Sequence, residues 1–402
     1  MARQTVRAIL IGAATVCLAA LAGAQAHVAA FGKLAPSSAL WLDPDDADAL
    51  VAKADQEMLA AKGEAVDPAP LAASARLALK SSPLTTGALR QLGLAQAFRN
   101  DQDGARNLIQ LGNRVSRRDF LSHVWMIEDR VAANDIPGAL DHYDIALSIS
   151  DAAADLLFPV LSDALSEPEI QAAFGPLVRA SRPWLPRFLT FAITNGPNSQ
   201  AVAEILMANG GMPADRSYAG LDGQLLKKLF VDNHYDVMHR YALSLKMGPQ
   251  ALNEVGFTDA AMDPALGPIA WELADATGLR TRRDDGQRLV VVASDNAGGV
   301  AATRVMFLKP GNYSFNQTIA PLPESQSGSV TWVLRCLPAG SSETIWKQEF
   351  PTGTAEQNYR SPVTIPAQCP GQQLGVIVKG ADTQSETGVV LGPVSMSPIA
   401  VK

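Results

Sequence analysis

The chain has 402 residues, enough for two or three domains, and a formal net charge of −7 at pH 7. This acidic balance argues against nucleic acid or an anionic membrane as the main partner, because both require a basic surface. Aromatic residues make up only 6% of the chain, which argues against a wide aromatic binding surface.

The N-terminus has the pattern of an export signal. Two arginines precede an apolar, uncharged stretch at residues 8–23, and small residues follow at 24–26. This pattern predicts a secretory signal that is cleaved after Ala26. Because the low charge continues to Phe31, an uncleaved inner-membrane anchor at residues 8–30 is the alternative. In both cases the positive end stays cytoplasmic, so the rest of the chain is predicted to be exported to the periplasm.

Helical periodicity with short breaks runs over residues 43–250. Within it, "RNDQDGA" at 99–105 and "ANDIPGA" at 133–139 share Asn-Asp-x-x-Gly-Ala and lie 34 residues apart. Two helices per 34 residues is the tetratricopeptide period. The phrase is therefore predicted to be the turn and the second-helix start of consecutive helix pairs.

The 34-residue step also relates small and large residues on the second helix of each pair. A small residue lets the neighbouring helix approach closely, and the large residue fills the gap between the helices. The pattern resembles tetratricopeptide repeats most clearly over 67–185, and an irregular helical bundle with coincident spacing is the alternative. The three sets of residues are Ala105, Ile109 and Gly112; Ala139, Tyr143 and Ala146; and Ala173, Leu177 and Ala180.

After residue 250 the period changes to that of β-strands. Short apolar segments separated by Gly, Pro, Ser and Asn predict an antiparallel sandwich or jelly roll. In the segment at 330–337, alternation places Trp332 and Cys336 on the inner face. The eight predicted strands are 289–294, 300–308, 312–319, 330–337, 343–350, 360–366, 373–380 and 388–397.

The predicted export bears on the cysteines. With Cys17 in the export segment, Cys336 and Cys369 remain. An even pair of cysteines in an oxidising compartment is a disulfide candidate, and two buried free thiols are the alternative. A bridge that closes this loop would stabilise the fold by ~3–4 kcal/mol.

Three short motifs resemble carbohydrate-binding-module-like domains. Residues 252–273 resemble the opening of such domains, with Asn, Phe, Pro and Trp-x-Leu in that order. "LKPGNYSF" at 308–315 resembles their turn before a strand, and "WVLRC" with "IPAQCPGQQL" resembles their cysteine pair. Most of the chain resembles exported bacterial proteins that join helical repeats to such a sandwich and are associated with exopolysaccharide assembly and export. This resemblance implies a galactose-binding-like jelly roll at residues 251–402 and an envelope setting.

Motifs for catalysis are absent from the sequence: it contains no Gly-x-Ser-x-Gly elbow, phosphate loop or His-Glu-x-x-His. The histidines, including that of "DHYD" at 141–144, are interpreted as solvated or structural. Asp284 and Asp285 lie in a predicted polar turn. The sequence thus predicts no catalytic residue, no metal site and no cofactor.

Sugar binding requires exposed aromatic side chains with polar neighbours. Trp346, Tyr313 and Tyr359 are the candidates in the predicted sandwich. Core packing is the alternative for Trp346, and packing at a turn is the alternative for Tyr313.

Together these patterns predict a multidomain α plus β protein, with a tetratricopeptide-like solenoid before an antiparallel β-sandwich. Its predicted function is that of a non-catalytic exported scaffold or accessory protein in cell-envelope or exopolysaccharide assembly. The repeats would bind envelope or polysaccharide-assembly proteins, and the sandwich would contact polysaccharide. A protein-interaction adaptor without sugar binding and a glycan-active enzyme are the alternatives.

Overall fold

The computed structural model describes residues 21–61, 67–246, 248–274, 277–284, 286–294, 297–323, 325, 328–337, 343–380 and 386–399. Residues 1–20 of the predicted export segment, with Cys17, lie outside this part of the chain. Within the described part, no helix is both long and apolar enough to cross a membrane. The chain divides into two compact units, Met1–Ala154 and Asp155–Lys402. The domain boundaries predicted from the sequence stay a prediction.

The first unit is helical in its described part. Helices α4, α6 and α8 begin at Pro68, Gln102 and Ile136, so they follow the predicted 34-residue spacing. Assignment of these helices to the tetratricopeptide family stays a prediction. The helices are α1 (residues 21–31), α2 (Pro36–Leu42), α3 (Ala47–Ala60), α4 (Pro68–Ser81), α5 (Thr86–Ala97), α6 (Gln102–Val115), α7 (Phe120–Ala132) and α8 (Ile136–Ile149).

The repeated Asn-Asp-x-x-Gly-Ala phrase is the turn between paired helices. Asn100 takes a left-handed backbone conformation with φ of 64°, which asparagine adopts more readily than most residues. Asp101 then caps α6, because its carboxylate accepts a hydrogen bond from the Gly104 backbone N–H at 2.9 Å. The second copy repeats both features, with Asn134 at φ 56° and Asp135 capping α8. The phrase recurs because each turn must satisfy the same unpaired backbone donors.

The second unit begins with further helices, and its helical core is aromatic. The Phe174 ring lies 5.4 Å from Phe188 and 6.3 Å from Trp184. The helices are α9 (Ala153–Ala164), α10 (Pro168–Arg179), α11 (Leu185–Thr194), α12 (Ser199–Ala208), α13 (Leu221–Val231), α14 (Tyr235–Ser244) and α15 (Gly248–Asn253).

The predicted packing sets are entirely buried on α6 and α8, whereas only Leu177 of the third set is buried. Ala180, the last member of the third set, is exposed beyond the end of α10. Phe174, Gly175 and Val178 are buried on α10 together with the predicted Leu177. The prediction was wrong here because the large Phe174 ring, not a small residue, determines which face of α10 packs inward.

The strands of the second unit form a sandwich of two five-stranded antiparallel sheets. One sheet has the order β1-β4-β9-β6-β7 and the other β2-β3-β10-β5-β8, so β7 and β8 are edge strands. The predicted fold class, a helical region followed by an antiparallel β-sandwich, is confirmed. The strands are β1 (Glu272–Leu273), β2 (Leu279–Arg283), β3 (Leu289–Ala293), β4 (Gly298–Met306), β5 (Gly311–Pro321), β6 (Ser329–Cys336), β7 (Thr344–Pro351), β8 (Gln357–Ile365), β9 (Gln372–Lys379) and β10 (Thr387–Pro398).

The core of the sandwich lies between its sheets, and β6 shows why. Trp332 and Leu334 are fully buried, as the predicted alternation requires. Cys336 and Cys369 form the predicted disulfide, with 5.4 Å between their Cα atoms. The bridge closes the loop that contains β7 and β8.

Arg304 on β4 joins the helical part of this unit to its sheet. The side chain is fully buried and donates hydrogen bonds to the Ala251 and Glu254 carbonyl oxygens at 2.8 and 2.7 Å. Its guanidinium lies 5.6 Å from the centre of the Trp271 ring. Burial lowers the pKa of Arg304 to about 10, so the side chain stays charged at neutral pH. The guanidinium thus holds the C-terminal carbonyls of α15 against the sandwich.

We expect Gly104→Ala to destabilise the first unit by about 1–2 kcal/mol, because a Cβ there would collide with the Asp101 carboxylate and disrupt the cap. Gly112→Ala in the same helix is the matched control. Its Cβ would meet Leu89 and Thr86 only at ordinary contact distances, so alanine should be neutral or stabilising by up to ~1 kcal/mol. Urea unfolding of the two variants measures this, and equal effects would contradict the explanation.

Candidate functional site

An open cleft of about 670 Å³ lies within the first unit. Its walls come from α3, α5 and residues 116–119, which lead into α7. Four hydroxyl side chains line it, those of Ser82, Thr85, Thr86 and Ser116. The volume lies in the range of protein ligand sites.

A buried arginine forms the floor of this cleft. Arg90 on α5 is only 2% exposed and forms a two-pronged pair with Asp55 on α3, at 2.9 and 2.7 Å. Its Nε donates to Asp119 at 2.9 Å. The Gln91 amide adds hydrogen bonds to Asp55 and to the Val51 carbonyl oxygen. This network joins α3, α5 and the start of α7 through one guanidinium.

The protonation of Arg90 follows from this arrangement. Burial alone would lower the pKa of its guanidinium. Hydrogen bonds to Asp55 and the charges of both aspartates outweigh burial and raise the pKa above its ordinary value. Arg90 is therefore always charged, and its ion pairs hold the floor of the cleft in place.

The rim of the cleft is mixed in character. Leu59 and Leu84 are exposed there, as is Arg118, whose side chain has no ion-pair partner among the described residues. Lys33 lies 3.6 Å from Asp48 at the exposed rim. Apolar contacts, hydroxyls and both signs of charge are thus available to a ligand.

A histidine pair supports the segment at 116–119. His123 on α7 is fully buried, and its Nε2 donates a hydrogen bond to the Arg117 carbonyl oxygen at 3.0 Å. Because Nε2 carries the proton in a neutral ring, Nδ1 must accept. His142 on α8 donates to that atom, with 3.0 Å between the two Nδ1 atoms.

Burial is the main cause of the pKa shifts of both histidines. It lowers the pKa of His142 to about 4 and lowers that of His123 below its ordinary value. The His123 ring itself disfavours a proton on His142. The charged groups acting on the pair are Arg117 and Arg130, which disfavour protonation, and Asp119 and Asp135, which favour it.

In the sandwich, two of the three aromatic candidates lie on the same seam. Trp346 is on β7 and Tyr359 on β8, the edge strands of opposite sheets. Both side chains are half-buried and pack against the core, with ring centres 5.0 Å from Phe315 for Trp346 and 4.7 Å from Phe350 for Tyr359. We call the β7–β8 edge that carries Trp346, Gln348, Gln357, Tyr359 and Ser361 the seam.

Polar groups connect the two strands of the seam. The Trp346 ring N–H donates to the Ser361 hydroxyl at 3.3 Å, and that hydroxyl donates to Gln348 at 3.4 Å. The Tyr359 hydroxyl lies 2.7 Å from the Pro351 carbonyl oxygen and 2.5 Å from the Gln357 amide oxygen. The seam therefore presents aromatic surface beside two amides and the Tyr359 hydroxyl, whereas Ser361 is buried.

Tyr313 lies away from the seam. It is buried at the start of β5, and its hydroxyl donates to the Lys309 carbonyl oxygen at 2.8 Å. It thus packs at the turn before the strand, as the alternative interpretation expected. A role of Trp346, Tyr313 or Tyr359 in ligand binding stays a prediction.

Other polar clusters have structural partners. In the described part of the chain, no group of three or more His, Cys, Asp or Glu side chains is placed to hold a metal ion. His239 stacks on Phe307 with 4.4 Å between ring centres. Asp284 binds Arg288 at 2.7 Å, while Asp285 lies outside the described residues.

Reasoning from the sequence missed the residues of the cleft. Arg90 and Gln91 occupy buried positions of α5, where its helical pattern calls for apolar residues. Polar residues at predicted core positions were the available signal, because buried polar groups need partners. Their main partner Asp55 lies 35 residues earlier, and no local pattern indicates that pairing.

No protein-family model matches this chain, and no curated protein matches its sequence. Among solved structures, one described as "CBM4 structure and function" is 12% identical, with 34% of this chain and 92% of the other covered and a TM-score of 0.27. The N-terminal cellulose-binding domain of Cellulomonas fimi β-1,4-glucanase C is 14% identical, with 34% and 93% covered and a TM-score of 0.26. TmCBM61, in complex with β-1,4-galactotriose, is 11% identical, with 32% and 88% covered and a TM-score of 0.24. These likenesses are too low to carry a conclusion about this chain.

The histidine pair makes the stability of the first unit depend on pH. Because the folded-state pKa values are lowered, the neutral pair stabilises the fold above about pH 6.5, and this contribution is lost as the pH falls toward 4. His142→Gln keeps a donor for His123 but cannot titrate. Its free energy of unfolding should fall less than that of the wild type between neutral pH and pH 4, by about 1–2 kcal/mol after solvent screening. Urea unfolding across this range measures the difference, and parallel curves would contradict the role of the pair.

Proposed function

We propose that this chain is a non-catalytic exported accessory protein of cell-envelope or exopolysaccharide assembly, whose first unit binds an extended segment of a partner protein. The observation that carries the proposal is the open cleft whose floor is formed by Arg90. The N-terminal signal pattern and the sequence resemblance to exported repeat proteins support the envelope setting.

The cleft suits a peptide segment for a chemical reason. A peptide carries backbone amides, apolar side chains and charges together. The cleft offers hydroxyls, the exposed leucines Leu59 and Leu84, and the exposed cation Arg118. Because Arg90 already holds the floor of the cleft in place, fewer side chains lose conformational entropy when a ligand binds.

We expect Leu84→Ser combined with Arg118→Glu to weaken partner binding about tenfold or more, since the pair removes an apolar contact and reverses a charge. Both positions are exposed, so the fold should persist. Val131→Ser, at an exposed position outside the cleft lining, is the control. A photo-crosslinker at position 84 of the exported chain identifies the partner by mass spectrometry, and titration with that purified protein measures affinity. Equal affinity of the double variant and the control would refute the cleft as the binding site.

Glycan binding at the seam is the second candidate function. It rests on two half-buried aromatic rings, Trp346 and Tyr359, beside the amides of Gln348 and Gln357. A sugar ring combines an apolar face with hydroxyl groups, and this combination of side chains complements both. The adaptor without sugar binding is the competing function.

We expect Trp346→Leu to lower glycan affinity about tenfold, since it removes the ring and its N–H but keeps an apolar side chain at the core. Tyr313→Phe is the matched control, because that hydroxyl is buried at a turn away from the seam. A glycan array and affinity electrophoresis of the full exported chain in envelope polysaccharides measure binding. A uniformly negative array would favour the adaptor, and equal loss in both variants would exclude the seam.

A further inference from the structure

A shallow hollow lies on the outer face of the sheet that contains β4, β9, β6 and β7. The strand register places Thr303, Gly375 and Val333 side by side across this sheet. Leu374 and Val376, the neighbours of Gly375 along β9, are buried in the core, so alternation directs the row of three outward. A volume of about 40 Å³ lies open over this row.

Gly375 leaves the floor of this hollow without a side chain. Its φ lies outside the left-handed region, so the backbone does not require glycine here. Space does not require it either, because a Cβ would meet only the Thr303 Cγ2 atom at 3.6 Å and the Ala302 carbonyl oxygen at 3.9 Å. Glycine inside a strand weakens the strand and often marks a site where a ligand approaches the backbone closely. The bare position therefore indicates a binding surface.

The walls of the hollow are aliphatic. Val300 is 44% exposed, Ile377 is half-buried and Val333 is buried. Among the described residues that line the hollow, none carries an aromatic ring. A small aliphatic hollow is filled best by an aliphatic side chain, because apolar surface is then removed from water on both partners. These walls therefore favour a peptide side chain over a sugar ring.

The hollow continues toward α13. Thr303 and Gln373 line the first hollow and also a second one of about 100 Å³. The second hollow is bounded by Phe230 and by two side chains of opposite charge, Lys227 and Glu272. We call the two adjoining hollows the groove. Its elongated form suits an extended chain segment, which can place successive side chains in the two hollows.

The sheet face around the groove is basic, although the chain is acidic overall with a net charge of −7. Arg335, Lys347 and Lys379 point outward from β6, β7 and β9, and all three are exposed. None of them has an ion-pair partner in the part of the chain that the structure describes. Within these three strands, all of whose residues are described, Glu349 is the one carboxylate on this face. Such a face attracts an acidic partner.

We propose that the groove binds an extended, acidic segment of a partner protein, and that an aliphatic side chain of this segment fills the hollow over Gly375. The cations on β6, β7 and β9 then pair with the acidic side chains of the segment. The groove lies in the second unit and shares no residue with the cleft or the seam, so the proposal does not depend on either.

Two pairs of variants of the exported chain test the groove. Gly375→Leu fills the hollow, and its control Ser397→Leu adds the same side chain at an exposed position of the other sheet. Arg335→Glu reverses a charge beside the hollow, and its control Lys309→Glu does so at an exposed position outside the groove lining. Gly375→Ala is a smaller filling for which the structure has room.

A labelled peptide is the probe. A display library of random peptides is selected on the immobilised exported chain, and peptides that Gly375→Leu also retains are discarded. We expect the surviving peptides to combine an aliphatic residue with Asp or Glu. One of them is synthesised with a fluorophore and titrated with each variant by fluorescence anisotropy.

We expect Gly375→Leu to weaken binding of this peptide about tenfold or more and Arg335→Glu about fivefold or more, while both controls bind as the wild type does. Added salt should weaken binding to the wild type, because it screens exposed charges. Gly375→Ala should also bind more weakly, although its urea midpoint should equal or exceed that of the wild type, since alanine lowers the entropy of the unfolded chain. This combination separates loss of the site from loss of the fold.

Three results would overturn the proposal. The first is a library that yields no peptide able to distinguish the wild type from Gly375→Leu, or equal weakening by Gly375→Leu and Ser397→Leu. The second is a set of surviving peptides without acidic residues. The third is a glycan array on which the wild type retains a sugar that Gly375→Leu loses, which would assign the groove to polysaccharide.

Discussion

One guanidinium connects the elements on which the first unit depends. Arg90 pairs with Asp55 on α3 and with Asp119 before α7, and so it joins three elements distant in sequence. A buried charge of this kind costs several kcal/mol unless its partners are present, so the helices can pack only in the arrangement that brings both carboxylates to it. The width and the floor of the cleft are set by the need to bring both carboxylates to Arg90.

Helix caps and a histidine pair hold the segments around Arg90 in position. The aspartate caps satisfy the first backbone donors of α6 and α8, which fixes where each second helix begins. The histidine pair holds residues 116–119 from behind, and Asp119 at the end of that segment completes the Arg90 network. The cleft is thus built from interactions that each stabilise the packing of the helices.

In the second unit too, a buried arginine joins elements that are separate in sequence. Arg304 takes backbone carbonyl oxygens and the Trp271 ring as partners, and it joins the last helix to the sheet. The Cys336–Cys369 bridge closes the loop that contains β7 and β8, the strands that carry the seam. In both units the residues proposed to bind ligands stand on elements that buried polar or covalent links hold in position.

Local chemistry determined much of this protein from its sequence alone. The capping aspartates, the 34-residue spacing, the inward face of β6 and the cysteine pair were all predictable, because each depends on neighbours within a helix, a turn or a strand, or on the redox compartment. The strand β2 was missed because its exposed arginines lack apolar alternation, and the face of α10 was misassigned because a distant aromatic cluster sets it. Only the tertiary structure decided that Arg90 meets Asp55, that His123 meets His142 and that Trp346 shares a seam with Tyr359. These pairs lie on separate elements, and no local periodicity encodes which distant side chains will meet when the elements pack.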